Sequence, residues 1–148
     1  MLEPTNAPYA MAKIASIEIG RSINTQFGHN VVNLMPTNLY GPNDNFDHNS
    51  SHVLPALMSK FHGSLDKSKH WVVKLWGDGS PKREFLHVKD LSSAIYFVLK
   101  KKIKHDFINV GGGEHYSIKV IAQMIKKIIN YNGKIVFNLK YPDGVKRR

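Results

Sequence analysis

The chain has 148 residues, 42% of them apolar and none of them cysteine, which suits one core-forming domain and excludes a disulfide framework or a thiolate metal site. No run of about 18 apolar residues occurs, so no transmembrane helix is expected. The net charge of +10, from 21 Lys and Arg against 11 Asp and Glu, is spread along the chain. Without one basic run it points to an anionic small substrate or a lysine-rich background more than to nucleic acid.

The N-terminus lacks a basic stretch followed by an apolar run, so it does not read as a secretory signal, and a cytoplasmic setting is the default. Asn6 and Pro8 open a helix, since proline is tolerated in a first turn. Within it, Tyr9-Ala-Met-Ala-Lys13 places a phenol and an ammonium one turn apart on one face. Such a pair suits proton transfer to or from a carbonyl or alcohol oxygen. Chance alone yields about 0.7 such pairs in a chain of this composition, and Tyr96-Phe-Val-Leu-Lys100 is a second one. Apolar residues form two stripes, one through Ala10, Ile14 and Ile17 and one through Ala12, Ala15, Ile19 and Ile23, which predicts cover on both sides of this helix. Gly28 ends it.

Residues 31–35 read as a buried strand closed by Pro36, and 37–51, rich in Asn, Asp, Gly and Pro, as a loop. Val53, Leu54, Leu57, Met58 and Phe61 recur at helical spacing. Residues 71–76 form a strand, 77–81 a turn, and 84–88 a short strand. Asp90 is expected to cap the helix that carries Leu91, Ala94, Ile95, Val98 and Leu99. Residues 107–110 are a strand, Ser117 caps a last helix, and 134–137 close the series. Alternating strands and helices predict a layered α/β fold.

In α/β sheets, ligands bind beyond the carboxyl ends of strands. Met35-Pro-Thr-Asn-Leu-Tyr-Gly-Pro42 occupies such a position, with Asn38 offering a donor and an acceptor. It also reads as an ordinary strand exit. Gly111-Gly-Gly113 follows a strand but lacks the G-x-G-x-x-G spacing of a phosphate loop.

Tyr9-x-x-x-Lys13, Pro-Thr-Asn-Leu-Tyr-Gly-Pro42, Asp44-Asn-Phe46, Ser51-His-Val-x-Pro-Ala-Leu57, Trp76-Gly-x-Gly-x-Pro-x-Arg-Glu-Phe-Leu-His-Val88 and Pro142-Asp-Gly144 together are far more specific than any one of them. Through this set the chain resembles the extended short-chain dehydrogenase/reductases that act on nucleotide sugars. Among them it is most similar to those that epimerise GDP-4-keto-6-deoxymannose at C3 and C5 and reduce C4 with NADPH, giving GDP-L-fucose.

The resemblance implies an α/β fold made of the C-terminal part of such an enzyme. Residues 1–42 would be the end of an incomplete Rossmann domain that binds NADP(H). Residues 43–148 would be mainly a small α/β substrate-binding domain. Tyr9 would protonate the sugar oxygen at C4, with Lys13 on the nicotinamide ribose. Pro36, Asn38 and Leu39 would line the nicotinamide and sugar pocket. His52 would be the acid/base residue of epimerisation, near the cofactor as well. Lys60, Trp76 and Arg83 would hold the GDP moiety, with Arg147 or Arg148 as a last basic contact. A homodimer through the Tyr-Lys helix is implied; a metal, nucleic acid or a membrane is not.

Each residue also has a plainer reading. His52 can be a helix-start residue, His87 a packed strand residue, Trp76 core, and Arg83 one half of a surface pair with Glu84. Lys60 stands where the family commonly has Arg, which gives up bidentate phosphate binding. The family's catalytic Ser, its Cys and its Gly-rich fingerprint precede the Tyr-x-x-x-Lys helix, and none of them precedes it here. The chain is therefore expected to be a piece of a longer enzyme, truncated at both ends and inactive alone. Another nucleotide-sugar epimerase or dehydratase is one alternative. A non-catalytic remnant that binds a nucleotide sugar or a partner subunit is the other.

Overall fold

Residue 2 and residues 6–47, 50–65 and 72–141 are described by the structure, a computed structural model. Its elements run α1 (Ala7–Phe27), β1 (Asn33–Pro36), β2 (Asn38–Tyr40), α2 (Val53–Gly63), β3 (Val72–Trp76), β4 (Lys82–Arg83) and β5 (Phe85–His87). They continue with α3 (Val88–Lys101), β6 (Phe107–Val110), β7 (Tyr116–Ser117), α4 (Ile118–Ile128) and β8 (Lys134–Asn138). The fold is mixed α/β, as expected. Among the described residues the strands pair as β1–β6, β2–β5 and β3–β8, all parallel, and β4–β7, antiparallel.

The chain divides into two units. One comprises Met1–Thr37 and Lys89–Gly111, the other Asn38–Val88 and Gly112–Arg148.

In the first unit, α1 begins with Pro8 in its first turn and ends on Gly28, whose φ of 66° is the left-handed conformation that glycine adopts freely. The Gly28 N–H donates to the Asn24 carbonyl. The Asn24 side chain binds Val31 both ways. Its Nδ2 donates to the Val31 carbonyl at 2.9 Å, and its Oδ1 accepts the Val31 N–H at 2.6 Å. Gly20 lets the chain pass closely: a Cβ there would lie 2.9 Å from Asn33 Nδ2 and 3.1 Å from Val31 Cγ1. Arg21 reaches Asp106 Oδ2 at 3.3 Å and lies over the Phe107 ring. The expected cover on both sides of α1 is not found among the described residues. Gly20 alone is buried, while Met11, Ile14 and Ile19 are exposed. No residue of α3 is buried either.

The hydrophobic core lies in the second unit. Leu57 and Phe61, one turn apart on α2, meet Val73 and Leu75 of β3 and Ile121, Ala122 and Ile125 of α4, with Tyr131 alongside. Val73 and Leu75 alternate with exposed Lys74 and Trp76, so β3 sends one face inward and the other out. Ser117 caps α4 as expected, its hydroxyl accepting from the Val120 N–H.

Some elements differ from the sequence reading. The stretch 37–51 contains β2, whose three residues pair with β5. Asp90 does not cap α3. The helix starts at Val88, directly from β5, so Asp90 sits in its first turn, where a carboxylate suits the positive end of the dipole.

Candidate functional site

The candidate residues fall on both units, and each group has its own geometry. In the first unit, Tyr9 and Lys13 leave α1 on one face, both exposed, with Lys13 Nζ 5.5 Å from the centre of the Tyr9 ring. The second pair, Tyr96 and Lys100 on α3, has nearly the same geometry at 5.7 Å. Local chemistry therefore does not separate them, and the strand and loop that follow the first pair do. Pro36 closes β1 opposite Val110 and is exposed.

In the second unit, Asn38 and Leu39 belong to β2, paired with Phe85 and Leu86. The Asn38 side chain is held: its Nδ2 donates to the Glu84 carbonyl at 2.8 Å. His52 is the N-cap residue of α2. It makes no side-chain cap bond, and its carbonyl accepts from the Ala56 N–H. Its imidazole is exposed, free to meet another molecule, and the plainer helix-start reading is also accurate as far as its backbone goes.

Lys60 and Trp76 come together although they lie on different elements. Lys60 is in the last turn of α2, and its Nζ sits 5.2 Å from the centre of the Trp76 ring. Burial lowers the pKa of the Lys60 ammonium from its ordinary value, because a desolvated charge is disfavoured. Trp76 ends β3 and is 63% exposed, so it is not core. The Tyr141 ring stacks on it, with centroids 5.0 Å apart and planes 12° from parallel. Arg83 lies on β4 opposite Tyr116, half-buried, with Nη1 donating to the Lys82 carbonyl at 2.7 Å. Arg147 and Arg148 lie outside the described residues.

Two residues at this site are not singled out by the sequence. Tyr141 is one of them, directly before the Pro142-Asp-Gly144 motif. It follows β8 as Trp76 ends β3, and the signal is an aromatic residue just beyond a strand. Glu84 reads only as a neighbour of Arg83. It also binds the Gly113 N–H through its carboxylate at 2.7 Å and the Asn38 side chain through its backbone carbonyl. A cavity of about 410 Å³ lies between the 40–46 segment and α2, lined by Tyr40, Asp44, Phe46, Leu54, Met58 and His87.

The geometry offers a phenol–ammonium pair for proton transfer, an exposed imidazole, a held amide and a cation over an exposed indole. Comparison with known proteins agrees with this chemistry. Residues 1–111 match the model of the NAD dependent epimerase/dehydratase family. The GDP-L-fucose synthase of Escherichia coli (strain K12) is 44% identical over 158 residues, covering 99% of this chain and 48% of that protein. A GDP-6-OMe-4-keto-L-xylo-heptose reductase of C. jejuni superposes with a TM-score of 0.86 at 34% identity, over 99% of this chain and 53% of that one. A GDP-L-fucose synthetase from Naegleria fowleri bound to NADP gives 0.84 at 29% identity, over 95% of this chain and 45% of that one. The chain spans about half the length of the curated relatives it matches. It belongs to the NAD dependent epimerase/dehydratase family.

Proposed function

We propose that the protein converts GDP-4-keto-6-deoxymannose to GDP-L-fucose, by epimerisation at C3 and C5 and reduction at C4 with NADPH. The observation that carries this reading is the exposed Tyr9–Lys13 pair on α1 followed by Pro36-Thr-Asn-Leu-Tyr-Gly-Pro42, a motif that does not follow Tyr96–Lys100. The 44% identity to a GDP-L-fucose synthase supports the substrate. The phenol and ammonium are a donor set that fits a ribose hydroxyl and a substrate oxygen. NADPH, when bound, supplies the hydride. Tyr9 gives its proton to the oxygen at C4, and Lys13 holds the ribose and stabilises negative charge on the Tyr9 oxygen.

The remaining roles are assigned unit by unit. In the first, Pro36 lines the nicotinamide side. In the second, Asn38 and Leu39 face sugar and nicotinamide, and His52 moves protons in the epimerisation. Lys60, Trp76 and Arg83 hold the GDP moiety, with Arg148 as a last basic contact. Residues 1–42 serve the cofactor and 43–148 mainly the substrate. Residues 89–111, which pack with 1–37, join the cofactor part.

A homodimer through α1 belongs to the same reading. Met11, Ile14 and Ile19 are exposed on that helix, and a second copy would cover them. Sedimentation velocity on wild type and Ile19→Asp checks this: dimer dissociation is expected, and an unchanged dimer excludes α1. No helix among the described residues is long and apolar enough to cross a membrane, and the cytoplasm is the compartment we assign.

The activity is tested in the longest natural form of the protein, with GDP-4-keto-6-deoxymannose and NADPH. Tyr9→Phe is expected to lose about 100-fold or more in kcat, whereas Tyr96→Phe keeps wild-type turnover. Equal losses in the two variants, or none in Tyr9→Phe, would discard the assignment.

A further inference from the structure

Trp76 is neither buried nor free. Its indole ends β3 mostly open to solvent, yet one flat ring already lies on it, Tyr141 at 5.0 Å and 12°. The position of that second ring is set by backbone. β8 pairs with β3 so that Asn138 stands opposite Trp76. The Asn138 carbonyl then accepts two N–H groups, that of Gly77, which follows Trp76, at 3.1 Å and that of Tyr141 at 3.3 Å. The Asn138 side chain accepts a third, from Lys140, at 3.1 Å. Both aromatic residues are thus tied to one residue, and the turn over 138–141 returns the phenol ring onto the indole. Lys60 Nζ of α2 lies over the ring as well, 5.2 Å from the indole centre, and Trp76 still keeps 63% of its surface exposed.

An exposed indole with no neighbour samples several rotamers and loses that freedom when it binds a ligand. Backing it with a second ring removes most of that cost beforehand. Stacking a flat base requires a defined plane, and an exposed aromatic whose plane is already defined is a ready platform for one.

We propose that Tyr141 is a positioning residue for nucleotide binding: it backs the Trp76 indole and fixes its plane, so that the exposed part of the indole meets the base of a nucleoside diphosphate next to the Lys60 ammonium. Tyr141 need not touch the ligand; it acts through Trp76. The inference rests on the nucleotide-sugar reading above.

Calorimetric titration of the longest natural form with GDP, and separately with inorganic pyrophosphate, tests it in wild type, Trp76→Ala, Tyr141→Ala and Tyr141→Phe. Tyr141→Ala is expected to weaken GDP binding about fivefold while leaving pyrophosphate binding unchanged. Tyr141→Phe, which keeps the ring, restores GDP affinity. Trp76→Ala weakens GDP at least as much as Tyr141→Ala. If Trp76→Ala weakens GDP but Tyr141→Ala does not, the inference falls and the nucleotide reading stands. If Tyr141→Ala lowers GDP and pyrophosphate affinity alike, its role is general structure and the inference also falls. If wild type binds no GDP, the nucleotide reading fails and takes the inference with it.

Discussion

The carboxylate of Glu84 accepts a hydrogen bond from the Gly113 N–H at 2.7 Å, across a sequence separation of 29 residues. Its second oxygen lies 3.9 Å from His115 Nε2, and its carbonyl accepts the Asn38 amide at 2.8 Å. Glu84 therefore ties the loop before β7 to β2, and with it Asn38. Hydrogen bonds to a charged acceptor are stronger than neutral ones. Glu84→Ala should cost about 1–2 kcal/mol and Glu84→Gln about half of that. Urea unfolding of the three proteins measures it, and an alanine variant as stable as wild type would show that the clasp holds nothing.

The core is concentrated enough to predict a contrast along one packed layer. Phe61 is fully buried, and its ring meets Tyr131 at a right angle with centroids 5.4 Å apart. Ile128, at the end of α4, is 77% exposed. Phe61→Ala should cost about 3–5 kcal/mol, because it removes apolar contacts and leaves a cavity that its neighbours fill poorly. Ile128→Ala should stay within about 0.5 kcal/mol of wild type. Thermal melts rank the two, and comparable losses would mean that the core does not lie where Leu57, Phe61 and Leu75 place it.

Where local pattern and packing agree, the elements follow from residues alone. Ser117 with Ile121 and Ile125 marks the start and buried stripe of α4, and Phe107–Val110 is a strand by its apolar run. What stays hidden depends on pairing between distant segments. β4 and β7 have two residues each, too few for any periodicity, and exist only because Arg83 meets Tyr116. β2 is a strand because β5 lies beside it. The site shows the same divide. Tyr9–Lys13 is visible as a spacing, but Tyr96–Lys100 has the same local shape, so the distinction comes from the surrounding motifs. That Trp76 collects both Lys60 from α2 and Tyr141 from beyond β8 is visible only in the fold.

Gly79 holds a conformation that its neighbours do not permit to other residues. Its φ is 75°, and a Cβ there would collide with the Phe137 ring and lie 3.1 Å from Lys119 Cβ. Its carbonyl also accepts the Lys119 N–H at 2.9 Å, so the loop is anchored at the start of α4. Gly79→Ala should cost about 1–3 kcal/mol. Gly63, the last residue of α2, has open space where a methyl group would go and no positive φ. Gly63→Ala should instead stabilise by about 0.5–1 kcal/mol, mainly by restricting the unfolded chain. Opposite signs in a pair of denaturation curves are the expected result, and a destabilised Gly63→Ala would contradict the open space around it.

Lys60 gives stability a particular dependence on alkaline pH. Burial lowers its folded-state pKa below the ordinary value of 10.5, so the folded chain holds this proton less tightly than the unfolded chain does. Below the folded-state pKa the cost of burying the charge is fully present. Between that pKa and 10.5 the unfolded chain binds more protons, and stability contributed by Lys60 rises as pH climbs through this window. Lys60→Met keeps an unbranched apolar side chain and removes the titration. The stability of wild type relative to Lys60→Met should therefore move in favour of wild type as pH rises towards 10.5, since the other titrating groups are common to both. The measurement is the difference between the two melting temperatures, taken from neutral to alkaline pH. A difference that stays constant, or shifts towards the variant, would show that the ammonium beside Trp76 is as well solvated in the fold as outside it.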